Sequence, residues 1–287
     1  MCFDPKVNKF PYPVDTSKHY LEVKKNMGIV FDINYPYIDN SKEFRRKVGL
    51  MNFLLKTIVY LVVRIRLNLR IKGKENLKKY KDVINNGCIT VCNHVHMWDY
   101  LAIKSVFKKQ NTKFLAWAPN INGEFGKVMR IVGGVPIPED NLAATKKCIK
   151  EVEEFINNKG MLHIYPEGSM WEFYQPIRPF KVGAAYYSIK CNKPILPLAF
   201  SYRKNGFIRR LFKSPASFTL TIGEPIYPNN ELTFKDNEID LTNRIHDEVC
   251  KLAGINPQDN LYGKVYNNDK RIDYYTTEYG INYKGSF

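Results

Sequence analysis

His94 and Asp99 stand five positions apart in Asn93-His94-Val95-His96-Met97-Trp98-Asp99. Five residues turn a helix through roughly 500°, so on a straight helix the two would not share a face. They meet if His94 lies in a loop and Asp99 falls in the first turn of a helix that Trp98 begins, where an acid also suits the helix dipole. A carboxylate bonded to one imidazole nitrogen fixes the tautomer and raises the basicity of the other. Such a pair is a general base able to take a proton from a hydroxyl. A second stretch, Pro166-Glu167-Gly168-Ser169-Met170-Trp171, sets a glutamate and a glycine just after an apolar run. A glycine there suits a turn that brings backbone close to a ligand, although a plain turn with a solvated glutamate fits equally.

Both stretches follow strand candidates. Short apolar runs at 88–92, 113–117, 133–137, 161–165, 194–201 and 217–223 read as strands. Helical patterns lie between them over about 98–109, 123–131, 140–158 and 181–190, and Leu241, Ile245, Val249 and Leu252 mark a last amphipathic helix. Strands alternating with helices predict an α/β fold whose mixed, mostly parallel sheet is flanked by helices. In such folds functional loops sit past the carboxyl ends of strands, where His94 and Glu167 both fall. Four segments follow: an extended arm over 1–40, a basic membrane-associating helix over 41–74, the α/β domain over 75–255 and a peripheral tail over 256–287.

The 287 residues carry 44 Lys and Arg against 28 Asp and Glu, a net charge of +16. That surplus asks for an anionic partner: nucleic acid, an acidic membrane face or a phosphorylated substrate. Ten basic residues and one acid lie between Lys42 and Lys74, which places +9 of the charge there. Between the basic clusters, residues 48–63 are apolar at twelve of sixteen positions. As a helix this run would be about 24 Å long, short of the ~30 Å hydrocarbon core. A core helix is one reading; a half-inserted anchor with flanking cations on an anionic leaflet is the preferred one. No full transmembrane helix is expected, and the N-terminus does not read as a secretory signal. Six scattered cysteines, with no CxxC pair, read as reduced thiols of a cytosolic setting.

Asn93-His94-x4-Asp99, followed some seventy residues later by Pro166-Glu167-Gly168-Ser169, resembles glycerolipid acyltransferases of the lysophosphatidate acyltransferase type. Two further blocks fit in order: Gly126-Lys127-x2-Arg130-x2-Gly133-Gly134-Val135, and Phe180-Lys181-Val182-Gly183-Ala184 with Pro194-Ile195-Leu196-Pro197 after it. The resemblance covers roughly residues 85–225. It implies that His94 is the general base and Asp99 its orienting partner, and that a lysolipid hydroxyl attacks an acyl-CoA or acyl-carrier-protein thioester directly. It implies a substrate-binding set of Asn93, Arg130, Glu167, Gly168, Ser169, Arg178 and Lys181. A carboxylate repels phosphate, so Glu167 is expected to orient a neighbour or bond an acceptor hydroxyl, with Lys181, Arg178 or Arg130 meeting the phosphate. No metal or redox cofactor is required. The implied setting is the cytoplasmic face of a membrane, peripheral or monotopic, with anionic lipids as partners and no nucleic acid.

The chain departs from the family pattern twice. Met170 stands where the third block usually has arginine, and Pro138-Glu139-Asp140 where an arginine usually follows the second. Both changes remove phosphate contacts and leave the head group of the acceptor open. Two other readings compete. His94-x-His96 with Cys92 and Asp99 could hold a metal in a hydrolase, although Trp98 and Tyr100 break the familiar HxHxDH pattern. The basic charge could also serve a noncatalytic nucleic-acid or membrane-surface module. Trp98, Trp117 and Trp171 read as core or interface aromatics, with Trp171 and Phe173 as candidates to line an acyl tunnel.

Overall fold

The computed structural model describes residues 19, 23, 26–172, 174, 176–207, 209 and 217–257. The C-terminal tail beyond 257, Phe173 and most of the first 25 residues lie outside the described set.

Helix α1, Lys42–Arg66, precedes strand β1, Arg70–Lys72, and the short helices α2, Lys74–Lys79, and α3, Lys81–Asn85. Then come β2 (Cys88–Val91), α4 (Asp99–Val106), β3 (Thr112–Trp117), α5 (Ala118–Ile121), α6 (Gly126–Val132), β4 (Gly134–Ile137), α7 (Leu142–Asn157) and β5 (Met161–Ile164). The described elements end with α8 (Gly183–Cys191), β6 (Ile195–Arg203), β7 (Ser217–Ile222) and α9 (Phe234–Ala253). The strands form one sheet in the order β1-β7-β6-β2-β5-β3-β4. β6 and β7 pair antiparallel, and every other pair is parallel. The fold is therefore α/β with a mixed, mostly parallel sheet, as the alternation of patterns predicts.

Apolar side chains cover both faces of the central strands. Along β2, Ile89 and Val91 join a core with α7, α8 and α9, while Cys88 and Cys92 join one with α4 and the end of α1. In β6, Ile195 and Ala199 divide from Leu196, Leu198 and Phe200 in the same way. A strand buried on both faces reads as a continuous apolar run, which is why these strands are recognisable from sequence. Helices α7 and α9 start on side-chain caps: Asn141 accepts from Ala144 N and Thr233 from Asp236 N.

Two features differ from expectation. β1 pairs with β7 through Arg70, Ile71 and Lys72, so the end of the 41–74 segment belongs to the sheet. Helix α1 also runs 25 residues, about 37 Å at ~1.5 Å per residue, and its length and composition would allow a membrane crossing. The expectation of no such helix counted uninterrupted apolar residues, whereas the backbone ladder continues through Lys42 to Lys47 and Arg64 to Arg66. Ser41 caps its start by accepting from Phe44 N at 3.2 Å, and Leu55–Val59 form a π segment at its middle. Leu55 and Val63 are buried against the domain. Leu50, Phe53, Leu54, Ile58, Leu61, Val62 and Ile65 stay exposed.

The second half of the N-terminal arm packs on the domain. Tyr37 is fully buried. Ile29 N donates to Asn122 Oδ1 at 2.9 Å, and Ile38 N to Glu151 Oε2 at 2.7 Å.

Candidate active site

β2 and β5 are parallel neighbours with Val91 opposite Ile164. The loops that leave their carboxyl ends, seventy residues apart in sequence, therefore emerge side by side. Asn93 anchors the first loop: it is fully buried, its Nδ2 donates to Phe200 O at 3.0 Å, and its Oδ1 accepts from Phe200 N at 2.8 Å. This reciprocal pair ties the end of β2 to β6, so the side chain expected to bind substrate has a backbone partner instead.

Asp99 begins α4, and its Oδ2 accepts from His94 Nδ1 at 2.7 Å and from Val95 N at 3.1 Å. Its Oδ1 accepts from the Tyr165 hydroxyl at 2.5 Å. Burial pushes the Asp99 carboxyl up, but His94 and the bonds from His94 and Tyr165 outweigh it and hold the group below its ordinary value. Burial, and next the Asp99 charge, hold the Tyr165 phenol well above its ordinary range, so it stays a donor. The Tyr165 ring also stacks on His94, with centroids 3.8 Å apart and planes 10° from parallel. An ionised Asp99 makes Nδ1 the protonated nitrogen of His94 and leaves the lone pair on Nε2. The His94 side chain keeps 23% exposure against 2% for Asp99. One nitrogen is thus anchored inside while the ring remains reachable. Sequence spacing pointed to the pair but missed Tyr165, whose partner lies 66 positions away.

Glu167 locks the second loop to the first. Its Oε2 accepts from His94 N at 3.1 Å and from Arg178 Nη2 at 2.8 Å, and its Oε1 accepts from Arg178 N at 2.9 Å. Arg178 Nη1 donates to Ser169 Oγ at 2.6 Å, and Nη2 donates to Ser169 O. Its guanidinium lies over Trp171, 4.5 Å from the ring centroid, and Trp171 N donates to His94 O at 3.1 Å. Glu167 and Arg178 are both almost fully buried, so the Arg178 charge expected to meet the acceptor phosphate is neutralised inside the loop. Gly168 sits at φ +78°, and a Cβ there would fall 2.8 Å from Lys181 Cε and Nζ. The chain thus lays the Lys181 side chain against the turn, and Lys181 N donates to Pro166 O at 2.8 Å.

Arg130 has a different task. Its Nε donates to the Tyr35 hydroxyl at 3.1 Å, Nη1 to Gly134 O at 3.0 Å and Nη2 to Pro36 O. These bonds clamp the N-terminal arm to β4, and none of them reaches the His94 loop. His19, unassigned in the sequence reading, stacks on Trp117 with centroids 3.8 Å apart. Burial lowers its pKa to about 4, helped by the charges of Lys181, Arg178 and His94.

His96 turns from the dyad: its Nδ1 accepts from Trp98 N at 3.0 Å and its Nε2 lies 3.6 Å from Glu172 Oε1. Among the described residues no three His, Cys, Asp or Glu side chains are grouped to hold a metal ion. Burial pushes the Cys92 thiol well above its ordinary value.

The fold and these loops define an α/β protein with a partly exposed histidine, held by a buried aspartate, at the carboxyl edge of its sheet. Residues 68–201 match the family model described as Acyltransferase. The Caenorhabditis elegans protein named "Putative 1-acyl-sn-glycerol-3-phosphate acyltransferase acl-2" is 27% identical over 167 residues, which cover 54% of this chain and 56% of that protein. The chain thus spans little more than half the length of that relative. The crystal structure of the 1-acyl-sn-glycerophosphate (LPA) acyltransferase PlsC from Thermotoga maritima is 18% identical with a TM-score of 0.49, over 76% of this chain and 84% of that one. Over residues 68–201 the chain is similar to the acyltransferase family.

Proposed function

We propose that this protein transfers a fatty acyl group from an acyl-CoA or acyl-carrier-protein thioester to a free hydroxyl of a lysophospholipid such as lysophosphatidate. The observation that carries the reading is the His94–Asp99 pair, anchored on one imidazole nitrogen and reachable on the other. His94 Nε2 takes the proton as the acceptor oxygen attacks the thioester carbonyl. The tetrahedral centre collapses, the carbon–sulfur bond breaks, and the proton held by His94 passes to the departing thiolate. Asp99 stays ionised throughout and stabilises the imidazolium between those two transfers. The products are an ester and a free thiol.

Glu167 and Arg178 hold the shape of the acceptor turn, because each neutralises the other. Lys181, beside Gly168, is the cation assigned to the acceptor phosphate. One lysine is a weaker and less directional phosphate holder than a bidentate arginine, which favours tolerance of head groups beyond lysophosphatidate. The reaction takes place at a membrane surface. The exposed apolar face of α1 enters the cytoplasmic leaflet and the basic residues at its ends meet anionic head groups. Length alone would permit a crossing, but one face of the helix is packed on the domain, which favours a monotopic arrangement.

The test is an acyl-transfer screen over lysophosphatidate, other lysophospholipids and aminolipids, with both thioester donors. Ester formation on at least one lysophospholipid is expected. Transfer to none of them from either donor, by a folded membrane-bound preparation, would overturn the proposal.

A further inference from the structure

Six cations gather at the edge of the sheet opposite the His94 loop. Arg45 and Lys56 of α1, Lys104 at the far end of α4, Lys108 and Lys109 after it, and Lys113 at the start of β3 line one cleft of about 410 Å³. Asp39 is the only carboxylate among the described residues of its lining. Parallel pairing of β3 with β5 sets Lys113 opposite Leu162, near the amino end of β5, whereas Glu167 follows its carboxyl end. The cleft is therefore separate from the acyl-transfer site.

Two of its lysines are almost fully buried, which is costly for an ammonium without a counterion. Lys104 Nζ donates to Thr112 O at 3.3 Å and lies 5.9 Å from the Tyr100 ring centroid. Lys113 Nζ lies 5.5 Å from that of Phe155. Neither of these two, nor any of the other four, forms an ion pair among the described residues. Burial and the charges of neighbouring cations lower both buried lysines to about 8, with Asp39 opposing this at Lys113. A bound anion of high charge density would relieve that repulsion. The contrast with the acyl-transfer loops is direct, since Arg178 there is already neutralised by Glu167.

We infer that this cleft is a second anion site that takes a phosphate group, distinct from the acceptor's, with Lys104 and Lys113 at its base and Lys56, Lys108 and Lys109 at its mouth. Arg45, Gly49, Asn52 and Lys56 recur at helical spacing on the side of α1 that lines the cleft, next to the exposed apolar positions. A phosphate presented by a lipid and a soluble phosphate share the chemistry that these amines recognise.

The experiment measures binding of the full chain to phosphatidylcholine vesicles with and without phosphatidate, and to inorganic pyrophosphate by calorimetry. The variants are Lys104→Met with Lys113→Met, Lys108→Gln with Lys109→Gln, and a charge-matched control, Lys78→Gln with Lys81→Gln. Each cleft pair is expected to weaken binding to at least one probe by roughly tenfold or more, and the control to weaken it much less. Loss confined to phosphatidate vesicles identifies a lipid-borne phosphate, and loss that includes pyrophosphate identifies a soluble one; either supports the site. Equal losses in cleft and control variants, or no binding of either probe by the wild type, would overturn it. The surface pair at 108 and 109 keeps the test open if replacing the buried lysines disturbs folding, and circular dichroism reports on that.

Discussion

At the scale of single residues, Tyr165 separates a merely adjacent His and Asp from an oriented pair. Its hydroxyl bonds the Asp99 oxygen that His94 does not use, and its ring stacks on the imidazole. Tyr165→Phe keeps the stack and removes the bond. The expected result is a fall in kcat of about tenfold to a hundredfold with KM little changed, as for loss of a hydrogen bond to a charged group. Glu167 is coupled to stability instead. Glu167→Ala strands a buried guanidinium and is expected to cost about 3–5 kcal/mol, read as a lower midpoint in denaturant titration. The contact of His94 with Asp99 was legible because the two lie five residues apart, whereas Glu167 meets His94 N from 73 positions away. The tasks of Arg130 and Arg178 were not legible, since a guanidinium in a sequence carries no record of what neutralises or binds it. Arg130 meets Tyr35 and Pro36 from more than ninety residues away.

At the scale of elements, the central strands were legible for the reason that stabilises them: apolar residues on both faces leave a continuous run. β1 was not, because Arg70-Ile71-Lys72 is a three-residue edge strand with charge on both sides of one apolar residue. The short helices α2, α3 and α5 were also missed, since one or two turns are too few to display a period. The apolar run 48–63 understated the helical length of α1, because a helix needs no apolarity to continue its backbone ladder, whereas the 41–74 bounds ran past its end at Arg66. Its two faces now make separable predictions. Ile58→Glu with Leu61→Glu alters exposed positions and is expected to leave thermal stability unchanged while weakening liposome binding by tenfold or more, given ~1.5–3 kcal/mol for burying each side chain. Leu55→Ala acts on the buried face and is expected to lower stability by about 2–5 kcal/mol. Gly126→Ala is also expected to be destabilising, because the added Cβ would fall 1.7 Å from Ile121 O.

For the whole molecule, acid stability is tied to a buried group behind the site. His163 is fully buried in β5, its Nδ1 lies 2.9 Å from Thr90 Oγ1, and burial lowers its pKa to about 3. The unfolded chain protonates this histidine near its ordinary 6.5, whereas the folded chain does not. Its contribution is therefore intact above that value and declines as pH falls below it. At about pH 5 the loss is about 2 kcal/mol. His96, also lowered by burial, adds in the same direction. Replacing His163 with Gln, which retains a polar partner for Thr90, is expected to flatten the fall in Tm between neutral and mildly acidic buffer. On the proposed function, the +9 carried by residues 42–74 serves attachment to a membrane, while the chemistry is assigned to one imidazole just before α4. The direct measurement is the initial rate of acyl transfer by wild type and by His94→Ala, on equal amounts of membrane-bound protein with matching circular dichroism. A loss of at least about a hundredfold is predicted for a general base; an unchanged rate would contradict the account.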